Sequence, residues 1–304
     1  MQRLNLTLLL KNSNYLLIDM ILRNKMTNNL LEGLISAEKD YTMYNGLLIS
    51  SLKIKKSVNI DVVKDISFAL GSFTLIVKGE FKKEYFERYV KLGILHFQRG
   101  VCEDAVFKFE LDGVTFELNS EKDTSDRLVA QWDDLFSMTV ILRNKKLTQE
   151  LVNLVPYLKS VHAYDNYGIK EMELKNMCLG YTSYNTETIN ELRTIAGAGV
   201  VPFFTLKGVK TTKSKSNDLE TIYLPVPELY NLAYNKDEVG FNSLLEQYLL
   251  HKKKWLTKKG FNDGYDFWFD FRLLGACSFA YDQGINITVE SEYIPANAYR
   301  GKFV

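Results

Sequence analysis

Phe267-Trp-Phe-Asp-Phe-Arg-Leu-Leu-Gly-Ala-Cys-Ser-Phe-Ala280, then Tyr281-Asp-Gln-Gly284, then Ile285-Asn-Ile-Thr-Val-Glu-Ser-Glu-Tyr-Ile-Pro295, is the stretch whose reading decides the fold. On a helix, Phe267, Trp268, Phe271, Leu273, Leu274, Ala276, Cys277, Phe279 and Ala280 surround the axis nearly completely, so this segment belongs inside a bundle of other helices. Gly284 stops it. The alternating Ile285, Ile287 and Val289 then pack an extended tail back on the bundle, and Pro295 ends that tail.

Working outward, Phe241, Leu244, Leu245, Tyr248, Leu249 and Trp255 line one side of the preceding segment, and Pro225 and Pro227 fix the entry to a helix before it. Towards the N-terminus, Val62, Ile66, Ala69, Leu70, Phe73, Ile76 and Val77 recur at the spacing of one helix face, with Asn59 or Asp61 as its cap. The pattern repeats in Phe86, Val90, Gly93, Ile94 and Phe97, and again in Leu128, Trp132, Leu135, Phe136 and Leu142. Gly79, Gly100, Gly260 and Gly284 follow such segments, three of them just after cations, as expected where a left-handed residue closes a helix. Glu171 to Leu179 and Thr186 to Ala196 read as further helices, and Lys207 to Asp218 as an exposed loop.

One stretch departs from this period. Phe107-Lys-Phe-Glu-Leu111 and Val114-Thr-Phe-Glu-Leu118 alternate on either side of Asp112-Gly113, a two-residue turn that favours positive backbone angles. A lone hairpin is marginal in water, so Phe107, Phe109, Leu111, Val114, Phe116 and Leu118 should form a face that lies on the helices. The expected fold class is mainly α: an antiparallel multi-helix bundle or irregular α-hairpin array with one small β-hairpin at about 107–118. Residues 1–304 are expected to form a single mostly helical domain, with an N-terminal half of about 1–155 and a C-terminal half of about 165–304. No repeat of fixed period supports a regular solenoid.

With 38 Lys plus Arg against 37 Asp plus Glu, the chain has no whole-molecule field to draw nucleic acid or an anionic membrane, so neither is expected as a partner. Cys102, Cys178 and Cys277 are odd in number and without a CxxC pair, which points away from a disulfide framework or a zinc site and towards a reducing compartment. The apolar run Leu8 to Leu10 is too brief for a signal-peptide core, and no uncharged run approaches a membrane span. The cytoplasm is the expected location.

His96, His162 and His251 sit in separate segments with no further His or Cys at helical spacing, so no metal, cofactor or catalytic residue is assigned. Glu80-Phe-Lys82 and Glu173-Leu-Lys175, both in helical contexts, match the Glu-x-Lys part of a metal-dependent nuclease site. That chemistry normally needs an Asp on an adjoining strand as well. Gly197-Ala-Gly199 fails the dinucleotide fingerprint because Pro202 holds the third place. His251-Lys-Lys-Lys-Trp255 with Lys258-Lys259 reads as a solvated helix end. Asp263, Asp266, Asp270, Glu290 and Glu292 form an acidic cluster beside Tyr293, and these six are the candidate partner-binding residues. Capping of the final helix near Asp266 explains some of the charge without a partner.

Gly284-Ile-x-Ile-x-Val-Glu-Ser-Glu-Tyr-Ile-Pro295, with the Leu-, Tyr- and Lys-rich helix from Phe241 to Trp255, resembles the immunity protein 49 family, mostly helical bacterial proteins paired with polymorphic toxins. The similarity is clearest over 226–296 and looser from about 60 to 155, while 1–50 and 156–225 show none. The resemblance implies a protein that binds and blocks a cognate toxin without chemistry of its own, and it carries over no toxin-contacting position. A two-domain helical immunity protein paired with a DNase toxin is a second reading in the same class. A metal-dependent nuclease and a helical peptide-binding scaffold are the readings from other classes. Neither the toxin's identity nor the oligomeric state is legible.

Overall fold

A computed structural model describes residues 32–53, 60–120, 128–157, 163–197, 224–259, 269–291 and 293–304. The expected mainly α fold with one small hairpin is what it shows. The helices are α1 (32–53), α2 (Ile60–Lys78), α3 (Lys83–Val101), α4 (Leu128–Ile141), α5 (Lys145–Leu154), α6 (Ala163–Cys178), α7 (Thr186–Gly197), α8 (Pro225–Tyr234), α9 (Glu238–Lys259), α10 (Phe271–Asp282) and the short α11 (Ala296–Tyr299). Between α3 and α4 stand β1 (Val106–Leu111) and β2 (Val114–Asn119).

Helix α10 is the axis. Every residue from Leu273 to Ala280 is buried, and the helix packs on α4, α8 and α11. Its approach to α4 is close because Gly275 has no side chain: a Cβ there would stand 3.1 Å from the Ser137 backbone. Trp132 of α4 is fully buried, stacks on Phe136 with ring centroids 4.6 Å apart, and donates its indole N–H to the Leu151 carbonyl of α5 at 2.8 Å. The main apolar cluster draws on helices from α2 to α11, and the final residues return to the N-terminal side. The Asn297 side-chain amide donates to the Gly79 carbonyl at 2.8 Å, the Val304 amide to the Phe81 carbonyl at 3.0 Å, and Phe303 packs on Phe81.

The hairpin pairs Leu111 with Val114 across Asp112 (φ 54°) and Gly113 (φ 76°), the mirror-image turn that the twist of two adjacent strands favours. Phe107, Phe109, Leu111, Phe116 and Leu118 are buried against Leu48, Leu52, Ile60, Val63, Leu92 and Leu95 of α1, α2 and α3. Val114 is the exception at 48% exposed, since the turn reaches past the helices that cover its neighbours. Arg88 holds that turn, donating to Asp112 and to Asn45 of α1, both at 2.7 Å.

Several details differ from the sequence reading. On α2 the buried positions are Ile60, Val63, Lys64, Ser67, Leu70, Gly71, Ser72, Thr74 and Leu75, while Val62, Ile66, Ala69, Phe73, Ile76 and Val77 are half-buried. The reason is that α2 contributes to three apolar clusters at once, so no single stripe describes it. Ser67 and Thr74 fit the tight seam because their hydroxyls donate to the Val63 and Leu70 carbonyls one turn back. Helix α3 runs through Gly100 to Val101, so that glycine ends nothing, whereas Gly79 (φ 67°) and Gly284 (φ 87°) do close helices. The described cap of the buried helix is Asp270. Asn59, Phe267, Trp268, Gly260 and the 200–218 stretch lie outside the described residues. Among the described residues, no helix is long and apolar enough to cross a membrane.

Candidate functional site

Past Gly284 the chain crosses the first turn of α9, and that helix holds it as a neighbouring strand would. The Asn242 side chain donates to the Asn286 carbonyl at 3.0 Å and accepts from the Thr288 amide at 2.9 Å, while Glu238 accepts from the Asn286 amide at 2.9 Å. Bonds to residues 286 and 288 on one edge, with Ile285 and Ile287 buried and Asn286, Thr288 and Glu290 exposed, define an extended segment. After Ser291 the chain turns, the Ile294 amide meeting the Ser291 carbonyl, and enters α11. Between the tail and α11 lies a groove of about 570 Å³, floored by Ile294 and Tyr299 and edged by Glu290 and Arg300.

The six candidate residues fall into three groups. Asp263, Asp266 and Glu292 lie outside the described residues. Glu290 is exposed on the groove edge, and no ion pair occupies it among the described residues. Asp270 and Tyr293 are turned inward. One Asp270 oxygen accepts from the Leu273 amide at 3.0 Å, and the other accepts from the Tyr248 hydroxyl and the Lys252 ammonium, both at 2.6 Å. The Tyr293 ring lies 5.8 Å from the same ammonium. Lys252 is therefore not part of a solvated helix end, as the basic tract suggested; it is the counter-ion of the α10 cap.

Burial opposes ionisation of Asp270, but Lys252 and the hydrogen bonds from Tyr248 and Leu273 outweigh it and hold its carboxyl well below the usual range. A carboxyl depressed by folding stabilises the native state above its unfolded pKa, and that contribution is lost as pH falls through the folded value. Urea midpoints should stay level down to about pH 5 and drop below about pH 4, and Asp270→Asn should converge on wild type in acid. A midpoint that rises on acidification would contradict this assignment.

A second polar constellation lies in the core, and sequence reasoning missed most of it. Lys175 of α6 is fully buried and pairs with Asp133 of α4 and, at 2.8 Å, with Glu171 one turn back. Arg272 of α10 pairs with the same Asp133 and, at 2.6 Å, with Glu171. The four side chains close a ring of alternating sign across three helices, with the Tyr230 ring 5.4 Å from the Lys175 ammonium. Burial opposes ionisation of Asp133, yet Arg272 and Lys175 prevail and keep its pKa below the ordinary value. The legible signals were Glu171 at i−4 from Lys175 and single charges, Asp133 and Arg272, inside otherwise apolar stripes.

Of the two Glu-x-Lys matches, Glu173-Leu-Lys175 lies on a helix as expected and Glu80-Phe-Lys82 does not. Glu80 and Lys82 pair at 3.1 Å in the turn between α2 and α3, with Phe81 buried between them. On α6, Glu173 points outward to Lys170 at 2.9 Å while Lys175 points inward, as an i,i+2 spacing on a helix requires. Only the first match brings its carboxylate and lysine together, as a partly exposed pair in a turn. Among the described residues, no group of His, Cys, Asp and Glu is arranged to hold a metal ion. The three cysteines are free thiols, and burial pushes Cys178 up to about 12 and Cys277 higher still, away from the nucleophilic thiolate. His96 is half-buried on α3, His251 is exposed on α9, and His162 lies outside the described residues.

Fold and site together describe a mostly helical protein whose charged core groups are paired internally and whose C-terminal groove carries an unspent carboxylate. Residues 182–298 match the family model of Immunity protein 49, and over this span the chain is similar to that family. The match takes in α7 to α10, the clamped tail and every groove residue except Tyr299 and Arg300. It extends the resemblance upstream of residue 226 and does not include 60–155, where a looser likeness was read. No curated protein and no solved structure gives a significant match. The family name carries an immunity role.

Proposed function

We propose that this chain is a cytoplasmic immunity protein that binds a cognate toxin of a polymorphic toxin system and blocks it without chemistry of its own. The observation that carries the reading is the family match over the C-terminal helices and tail. The structure is compatible with it in a specific way: the core carboxylates and lysine are committed to each other, while Glu290 and Arg300 stand at an open groove. Blocking requires a rigid complementary surface and slow dissociation, which a helical scaffold with a clamped tail supplies. On this reading Glu290 at the groove edge, together with Asp263, Asp266, Asp270, Glu292 and Tyr293 of the same C-terminal region, serves recognition of a basic surface of the toxin.

The test is to mix the purified chain with the toxin encoded beside its gene. A complex of fixed ratio should form on size-exclusion chromatography, and toxin activity should titrate to zero at that ratio. Protection of cells with no complex at any concentration would end the blocking hypothesis.

A further inference from the structure

The clamp described above uses only one edge of the tail. In an extended segment, successive residues direct their backbone N–H and C=O groups to opposite edges. Asn286 spends both of its groups and Thr288 its N–H on Asn242 and Glu238 of α9, so the groups of Ile287 and Val289 belong to the other edge. Those four groups have no hydrogen-bond partner among the described residues, and both residues line the groove. An unpaired extended edge is a template for another strand, and peptide backbones are commonly captured this way.

The charges at the groove select the occupant. Glu290, exposed beside the open edge, asks for a cation, and Arg300, exposed across the groove with its guanidinium carbon 5.5 Å from the Tyr299 ring, asks for a carboxylate. A second copy of this chain is a poor fit: in a twofold antiparallel pairing centred on Thr288, Glu290 faces Asn286 and meets no cation. We propose that the free edge of residues 286–291 docks an extended segment of the toxin, added as a strand through the backbone of Ile287 and Val289. Glu290 takes a basic side chain of that segment and Arg300 an acidic one. The inference rests on the toxin-binding reading and adds to it the site and the mode of attachment.

The probe is the toxin encoded beside the gene, with NMR-detected amide exchange on the free chain and on the complex. In the free chain the Asn286 and Thr288 amides should be protected and those of Ile287 and Val289 should exchange fast; in the complex the latter two should slow by at least about tenfold, as newly bonded amides do. Val289→Pro, which removes one free donor, should weaken binding by about 10- to 100-fold, while Val289→Thr, which keeps the N–H, should stay within about threefold. Equal thermal midpoints for the two variants exclude misfolding as the cause. A complex that forms with no new protection at Ile287 and Val289 would overturn strand addition and leave the blocking reading intact; failure of any complex to form would overturn both. Protection that appears in the chain alone, together with a dimer, would assign the edge to a second copy and overturn the toxin as its occupant.

Discussion

Lys175→Met should lower the unfolding free energy by about 3–5 kcal/mol, because it leaves two buried carboxylates sharing one guanidinium. Lys175 is fully buried, with Asp133 and Glu171 as its anions, and only Arg272 remains to neutralise them. Total stability of an ordinary domain is about 5–15 kcal/mol, so the single variant should be close to unfolded at 37 °C. Lys175→Met with Glu171→Leu removes one anion and one cation together, leaving the Asp133–Arg272 pair, and should recover much of the loss. Urea denaturation followed by circular dichroism measures both. A single variant within 1 kcal/mol of wild type would show that the ring is not a closed charge balance.

Reversing Glu290 and Glu292 to lysine should raise the Kd for the toxin by about 100-fold, since like charges brought together at an interface cost several kcal/mol. The fold should be unaffected: Glu290 is exposed and holds no ion pair among the described residues. Salt should reduce the loss only modestly, because partly buried pairs are poorly screened. Thermal melting beside a binding titration separates the two effects. Unchanged affinity would move the interface away from this end.

What the sequence made legible follows from how local each signal is. The hairpin was readable because its turn chemistry and its two-residue period agree within 12 residues, and the final helix because apolar residues surround it. Pro225 in the first turn of α8 and Gly284 at the end of α10 act through backbone geometry alone, and both stand where they were expected. The stripe on α2 misled because that helix is gripped from several sides, a property of its neighbours and not of its own residues. Charge pairs were the least visible. Lys252 stands in a run with the composition of a solvated helix end, and only the fold sets it beside Asp270, 18 residues away; the core ring joins residues up to 139 positions apart. The groove was half legible: Glu290 was marked by composition, while Arg300, Asn242 and the open edge at Ile287 and Val289 depend on where the tail comes to rest.

Neutralisation by binding alone is tested most directly by recovering the toxin after it has been silenced. The complex with the toxin encoded beside the gene is formed, dissociated in denaturant and separated, and the toxin is refolded, weighed by intact mass spectrometry and assayed. Binding alone predicts an unaltered mass and full activity; a changed mass, or an inactive toxin that refolds normally, would mean that the chain acts chemically on its partner.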